Sequence, residues 1–232
     1  MLIGGLQKYS LIDFPGKVSC VLFLSGCNFD CPYCHNPELV RGEQSCSSPL
    51  DASEVYQFLE GRKGLLDGVV ISGGEPTLVG DLAPLCEKIK GMDYSVKLDT
   101  NGSRPQAIKH LINGGLVDYI AMDIKTAPSK YASFVKKDYN SNDIHASIQI
   151  IMESSLSHEF RTTCVKPIVD GQIIEDVAKT ISGANRYVLQ QYNKTRILHP
   201  EFFKGVEPGY GMDELMLFKS IAEPWVKECM VR

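Results

Sequence analysis

The sequence has no apolar run long enough to cross a membrane. The charge-free stretch around its first strongly apolar segment, from Val18 to Phe29, falls short of the ~20 residues a helical span needs. It has no excess of positive charge either. Lys and Arg number 24 against 28 Asp and Glu, a net charge of −4, which speaks against nucleic acid as a partner. The opening Met1-Leu2-Ile3-Gly4-Gly5-Leu6 lacks the basic start of a signal peptide. There is no internal repeat and no low-complexity linker. These absences lead us to expect a soluble, cytoplasmic chain with neither membrane nor nucleic acid among its partners. What is present is ordinary globular usage, 44% hydrophobic and 22% charged over 232 residues, enough apolar material for one large core.

Short apolar runs alternate with helical patterns. Val18 to Leu24, Gly68 to Ser72, Tyr94 to Leu98, Asp118 to Met122, Phe160 to Val165 and Arg186 to Gln190 read as buried strands. Helices fall between them. One runs from Asp51 to Gly61, with Asp51 and Glu54 at capping-box spacing. One follows Asp81 as N-cap. One runs from Ser103 to Asn113, with Pro105 in its first turn and Gly114-Gly115 as its stop. Two more are marked by Ile144, Ile148, Ile151 and Met152, and by Ile173, Val177 and Ile181. A last one begins near Asp213 and breaks before Pro224. Six βα units imply a parallel sheet, either a partial barrel or a doubly wound sheet; periodicity does not choose between them. Both put functional loops at the carboxyl ends of the strands. The longest irregular stretches are Asn36 to Leu50 and Pro128 to Asn142.

Eight cysteines are more than a reduced cytosolic chain needs, and clustered cysteines in such a chain bind metal or react. Cys27, Cys31 and Cys34 form a C-x3-C-x2-C loop directly after the first expected strand. Thiolates suit iron–sulfur clusters. A structural zinc site needs four ligands, and no second C-x2-C supplies them. The alternatives are a zinc knuckle completed by His35, which adjoins Cys34 awkwardly for a shared tetrahedron, and a redox pair of Cys31 and Cys34, which leaves Cys27 unexplained. Three thiolates can hold three irons of a [4Fe–4S] cluster and leave the fourth open to an exogenous ligand. Cys20, Cys46, Cys86, Cys164 and Cys229 are scattered and read as small structural or incidental residues.

The C-x3-C-x2-C loop after a first strand resembles the radical S-adenosylmethionine (SAM) superfamily. The wider string Asp13-Phe14-Pro15-Gly16, then Ser25-Gly26-Cys27 through Tyr33-Cys34-His35-Asn36, resembles the activases of glycyl-radical enzymes, and among them the activating proteins of anaerobic ribonucleoside-triphosphate reductase. The likeness runs from Asp13 to about Asn193. It implies a partial (β/α)6 TIM-like barrel with outer helices, forming one core domain over about 13–193 with a helical extension over about 194–232. It implies a [4Fe–4S] cluster on Cys27, Cys31 and Cys34, and SAM as cofactor. It also implies an electron donor such as flavodoxin or ferredoxin. The reaction implied is one-electron cleavage of SAM to a 5′-deoxyadenosyl radical, followed by hydrogen abstraction from a glycine of a partner enzyme. The brevity of the chain after the sixth strand suits a protein loop as substrate. The alternatives are activation of a pyruvate formate-lyase-like enzyme, radical chemistry on a small nucleobase, and a non-catalytic oxygen-sensing module.

Ser72-Gly73-Gly74-Glu75-Pro76 read alone is a strand-ending turn. The resemblance implies that Gly73, Gly74 and Glu75 contact the amino group of SAM. It also implies that Asp99 helps bind that end, and that Lys125 and Arg161 neutralise the carboxylate or touch the ribose. Tyr33 would pack near the adenine, and Asn101 and Asn193 would also line the cofactor. Each charged residue read alone is a solvated strand end or a helix cap. Asp99 and Asp123 end the third and fourth expected strands, beside the cofactor's own carboxylate. Two like charges ~4 Å apart repel by about 4 kcal/mol at an effective dielectric of 20. Compensation is therefore expected, from Lys125 and Arg161, from protonation, or from a cation held by Asp99 and Asp123 with the Thr100 hydroxyl and Ala121 carbonyl.

Overall fold

In the computed structural model, residues 2–42, 50–133, 140–193 and 196–232 are described. Cys46 and parts of both long irregular stretches lie outside them. The protein has an α/β fold with an eight-stranded, mostly parallel sheet whose strand order follows the chain, β1 to β8. The chain divides into two compact units. The first comprises Met1–Asn28, Glu38–Thr100 and Gln106–Ile120; the second comprises Phe29–Pro37, Asn101–Pro105 and Ala121–Arg232.

The first unit is built on β1 (Ile3–Ser10), β2 (Ser19–Leu24), β3 (Gly68–Gly73), β4 (Ser95–Thr100) and the start of β5 (Tyr119–Asp123). β2 pairs in parallel with β3, Cys20 opposite Val69 and Leu22 opposite Ile71, and β3 with β4, Val69 opposite Val96. These strands are nearly continuous apolar runs because both faces are covered. The covering helices are α2 (Ala52–Glu60), α3 (Leu82–Lys90) and α4 (Pro105–Asn113), with a short α1 (Pro37–Arg41) ahead of them. They bury Val55 and Leu59, Leu85, Cys86 and Ile89, and Ile108 and Leu111. The capping box on α2 forms as expected, Asp51 accepting from Ser53 N–H while Glu54 accepts from Asp51 N–H. Asp81 does precede α3, but its side chain makes no cap hydrogen bond; its ψ of 15° is not the extended backbone an N-cap uses.

β1 is a strand the sequence pattern did not indicate. It runs antiparallel to β2 with two irregularities in register, and its exposed Gln7, Lys8 and Tyr9 break any alternation. The turn after it explains the Asp13-Phe14-Pro15-Gly16 string structurally. Ser10 Oγ accepts the N–H groups of Ile12 and Asp13 and donates to the Asp13 carboxylate. Phe14, 2% exposed, lies so close to Gly68 that a Cβ there would stand 2.9 Å from its ring.

The second unit holds the end of β5, then α5 (Ser141–Glu153), β6 (Ser157–Cys164), α6 (Gly171–Thr180), β7 (Tyr187–Gln191), α7 (Met212–Ala222) and β8 (Cys229–Val231). β6 and β7 pair in parallel, Phe160 opposite Tyr187 and Cys164 opposite Gln191, and β7 pairs in parallel with β8. The core is Ile144, Ile148 and Ile151 of α5, Ile173, Ile174 and Val177 of α6, Leu215 and Phe218 of α7, and the strands between. The C-terminal segment thus adds a short strand to the expected helix. Among the described residues no helix is long and apolar enough to cross a membrane.

Candidate active site

In the first unit the strand-ending glycines do steric work. Gly73 has φ +132°, and a Cβ there would stand 2.2 Å from Leu24 O. A Cβ at Gly74 would stand 2.1 Å from Gly26 O and 3.2 Å from Cys27 Cβ. The backbone after β3 therefore lies directly on the residue before Cys27, with Glu75 N–H donating to Gly26 O at 2.8 Å. Only residues without a Cβ allow that approach. Glu75 is 1% exposed. Its Oε1 accepts from Thr77 N–H at 3.1 Å, the Thr77 hydroxyl, and the Thr100 hydroxyl at 2.7 Å. The Gly-Gly-Glu-Pro element is thus the expected turn, and also a fixed buried carboxylate.

Asp99 pairs with a residue that sequence reasoning passed over. Lys97 Nζ donates to Asp99 Oδ1 at 2.6 Å, and Lys97 is 1% exposed. The Tyr119 ring lies 5.9 Å from the same ammonium, an attractive geometry. The strand period of two could have indicated the pair, since residues i and i+2 of β4 share a face.

The second unit carries Cys31, which is buried, and Cys34, which is half-buried. Cys34 N–H donates to Cys31 O at 3.0 Å, closing a tight turn. Between them Tyr33 is 4% exposed, and its Oη has no hydrogen-bond partner among the described residues. Burial pushes the Tyr33 phenol well above its ordinary value, Lys125 pulls it back, and Cys31 and Asp123 add to the rise. His35 is lowered, by burial first and then by Lys125; its ring meets Tyr192 edge-on at 5.5 Å.

At the end of β5, Asp123 Oδ2 accepts from Lys125 Nζ at 2.8 Å and Oδ1 from Arg161 Nε at 2.7 Å. Burial alone would raise this carboxyl, but Arg161 and Lys125 outweigh it and hold it well below the usual range. Burial opposes the Lys125 charge, yet Asp123, Tyr33 and Cys31 raise its pKa. Lys125 N–H donates to the Tyr131 hydroxyl, and Thr126 Oγ1 beside it is buried with no partner among the described residues. Asn101 is buried, its Oδ1 accepting from Ser103 N–H at 2.9 Å. Asn193 is exposed at the end of β7. The two strand-end carboxylates are compensated by Lys97 for Asp99 and by Lys125 and Arg161 for Asp123. Among the described residues no three His, Cys, Asp or Glu side chains are grouped to hold a metal ion.

The first unit carries the glycine cradle against Cys27. The second carries Cys31, Cys34 and the buried Tyr33 Oη and Thr126 Oγ1, which have no partner among the described residues. In the sequence, three cysteines at C-x3-C-x2-C spacing are a soft donor set. That fits an iron–sulfur cluster with a polar ligand. The family model described as the Radical SAM superfamily matches residues 21–182, and the chain belongs to that superfamily. Membership implies a [4Fe–4S] cluster and SAM. Within it, the chain is 35% identical over 236 residues to a protein of Methanocaldococcus jannaschii named provisionally as a glycyl-radical enzyme activating enzyme, covering 100% of this chain and 95% of that one. It is 30% identical over 135 residues to the pyruvate formate-lyase-activating enzyme of Clostridium pasteurianum, covering 53% of this chain and 52% of that one. The crystal structure of Streptococcus suis SuiB bound to S-adenosylmethionine matches 90% of this chain with a TM-score of 0.67 at 13% identity. The chain spans about half the length of that structure, covering 51% of it, and the likeness speaks to fold alone.

Proposed function

We propose that this protein is a glycyl-radical enzyme activase, with anaerobic ribonucleoside-triphosphate reductase as its partner. The observation that carries the reading is the similarity to a provisionally named activating enzyme over 100% of this chain and 95% of the relative. It is joined to the C-x3-C-x2-C loop and the glycine cradle beside its first cysteine. Cys27, Cys31 and Cys34 hold the cluster. When bound, the cluster and SAM supply a carbon-centred radical at the 5′ position of deoxyadenosine, using one electron from a donor such as flavodoxin or ferredoxin.

The chain's own residues bind and orient. Glu75 offers an amino group a carboxylate already fixed by Thr77 and Thr100. Asp99 does the same from β4, held by Lys97. Lys125 and Arg161 present positive charge for a carboxylate or ribose, their positions set by Asp123. Charge-assisted hydrogen bonds of this kind are the strong ones. Tyr33 packs near the adenine; its buried hydroxyl has no hydrogen-bond partner among the described residues. Asn101 contributes from its buried turn, and Asn193, being exposed, has the least support of the set.

Electron paramagnetic resonance tests the reading. Anaerobic protein is mixed with SAM, a reductant and purified ribonucleotide reductase, and a glycyl doublet that disappears with Cys31→Ala is expected. A second reading, activation of a pyruvate formate-lyase-like enzyme, is favoured by the Clostridium pasteurianum match; the doublet would then form on that enzyme instead. No doublet on any of a broad panel of glycyl enzymes, with turnover of a small nucleobase, would overturn both.

A further inference from the structure

The segment after β7 returns to the cysteine loop. Leu198 N–H donates to Cys34 O at 3.0 Å, and His199 N–H donates to Pro32 O at 3.1 Å. Both carbonyls of the Cys31–Cys34 turn that face this strap are thereby occupied. His199 adds its side chain to the same contact. Its Nε2 lies 3.1 Å from Asp30 Oδ2, beside Cys31, and its Nδ1 lies 3.1 Å from Glu201 Oε1 on the strap itself. An imidazole that donates from Nε2 to Asp30 bridges the strap and the cysteine loop. Downstream, Phe203 is buried and stacks on Tyr192 at 29° and 6.1 Å. Tyr192 meets the His35 ring edge-on, so the strap grips the cysteine loop on both sides of Cys34.

These side-chain pairs are solvent-accessible, at 36% for His199, 45% for Asp30 and 71% for Glu201. Such pairs add little to global stability. Their effect is local. Local opening of a segment is governed by the bonds that hold that segment, and two backbone bonds and the His199 side chain are among those joining this loop to the strap.

We propose that His199 is a positioning residue that latches the strap 198–203 onto the cysteine loop and limits solvent access to Cys34. The latch itself is independent of what the cysteines bind. Its consequence for a cluster rests on the activase reading, in which Cys31 and Cys34 are ligands.

The test uses the full chain, purified without oxygen, as parent, His199→Ala, His199→Gln and Asp30→Ala. Hydrogen exchange and iodoacetamide labelling are followed by mass spectrometry on cluster-free protein. Removing one net hydrogen bond from a local opening shifts its equilibrium by about three- to tenfold. His199→Ala and Asp30→Ala should speed exchange in peptides spanning 29–36 and 196–203, and labelling of Cys34, by that factor. Buried Cys86 should stay unlabelled. His199→Gln, which keeps a side chain able to hydrogen-bond, should recover most of the protection. In cluster-loaded protein the reduction potential should move in His199→Ala and return in His199→Gln, since solvent exposure and hydrogen bonding tune such clusters. If both alanine variants match the parent in exchange and labelling, the latch is refuted. It is equally refuted if Cys86 labels as fast as Cys34, which reports global unfolding. If the latch effects appear while Cys31→Ala and Cys34→Ala retain full iron, the latch stands and the cluster assignment fails.

Discussion

Gly74→Ala tests the close approach of the strand-ending turn to the cysteine loop. The added Cβ would lie 2.1 Å from Gly26 O, 2.6 Å from Gly26 C and 3.2 Å from Cys27 Cβ. Carbon and oxygen not bonded to each other normally stay ~3.3 Å or more apart, so the overlap exceeds one ångström. No flexible side chain can move aside, because the obstacle is backbone. That backbone is itself tethered: Gly26 N–H donates to Leu39 O at 2.7 Å, Glu75 N–H to Gly26 O at 2.8 Å, and Gly74 N–H to Leu24 O at 2.9 Å. Overpacking of this kind costs about 1–3 kcal/mol, and each hydrogen bond stretched in the process about 0.5–1.5 kcal/mol. The expected loss of stability is about 2–4 kcal/mol in urea unfolding, with a fall in iron per chain because Cys27 is pushed from its place. Gly80→Ala is the control. A Cβ there meets nothing within 4 Å, so its effect should stay within ~1 kcal/mol. A Gly74→Ala protein with parental stability and full iron would refute the reasoning.

Single replacement of Cys27, Cys31 or Cys34 by Ala should abolish most iron binding and all SAM cleavage. The same change at Cys20, Cys86 or Cys164, whose thiols burial pushes up to about 12, should leave the cluster spectrum intact, as should changes at Cys229 and Cys46. Lys97→Met removes the buried cation beside Asp99 and should cost about 3–5 kcal/mol; adding Asp99→Asn should recover part of it, and strict additivity of the two changes would exclude the pairing. Asp123 is held below its ordinary carboxyl value, so its contribution to stability is present above the unfolded-state pKa, near 3.8, and is lost as pH falls. Asp123→Asn should therefore flatten the acid limb of the stability profile while lowering stability at neutral pH, and an unchanged acid limb would count against the ion pairs.

Six of the eight strands were legible because a parallel strand covered on both faces is a continuous apolar run. Ser19–Leu24 and Tyr119–Asp123 show it, each with at least four consecutive buried residues. β1 and β8 were not legible, for different reasons. β1 pairs antiparallel with β2, and its outward Gln7, Lys8 and Tyr9 interrupt any period. β8 is three residues long and exists because β7 is there to pair with it, a tertiary fact with no local signature. The same distinction holds for the functional residues. The cysteine spacing is chemistry written in the chain. The strap is not: His199 and Asp30 meet across 169 positions, and nothing near either one announces the other.

The strand-end carboxylates fall between those extremes. The expectation was of converging negative charge in need of a remedy from Lys125, Arg161, a proton or a cation. Asp123 is met by Lys125 and Arg161, as that expectation had it, whereas Asp99 is met by Lys97, which it had not named. Both lysines stand two residues from their carboxylate. Lys97 precedes Asp99 on β4, and Lys125 follows Asp123 at the end of β5. Alternation puts residues two apart on one face, so the pairing was available in the sequence as Lys-x-Asp and Asp-x-Lys. Such pairs are poor investments if stability were the purpose, since burying two charges nearly cancels their attraction. What they do achieve is to fix where a carboxylate or an ammonium points before any ligand arrives. A binding group held by a neighbour on the same rigid strand needs little reorganisation on contact. That is the property the proposed cofactor-binding role asks of Asp99 held by Lys97 and, separately, of Lys125 and Arg161 held by Asp123.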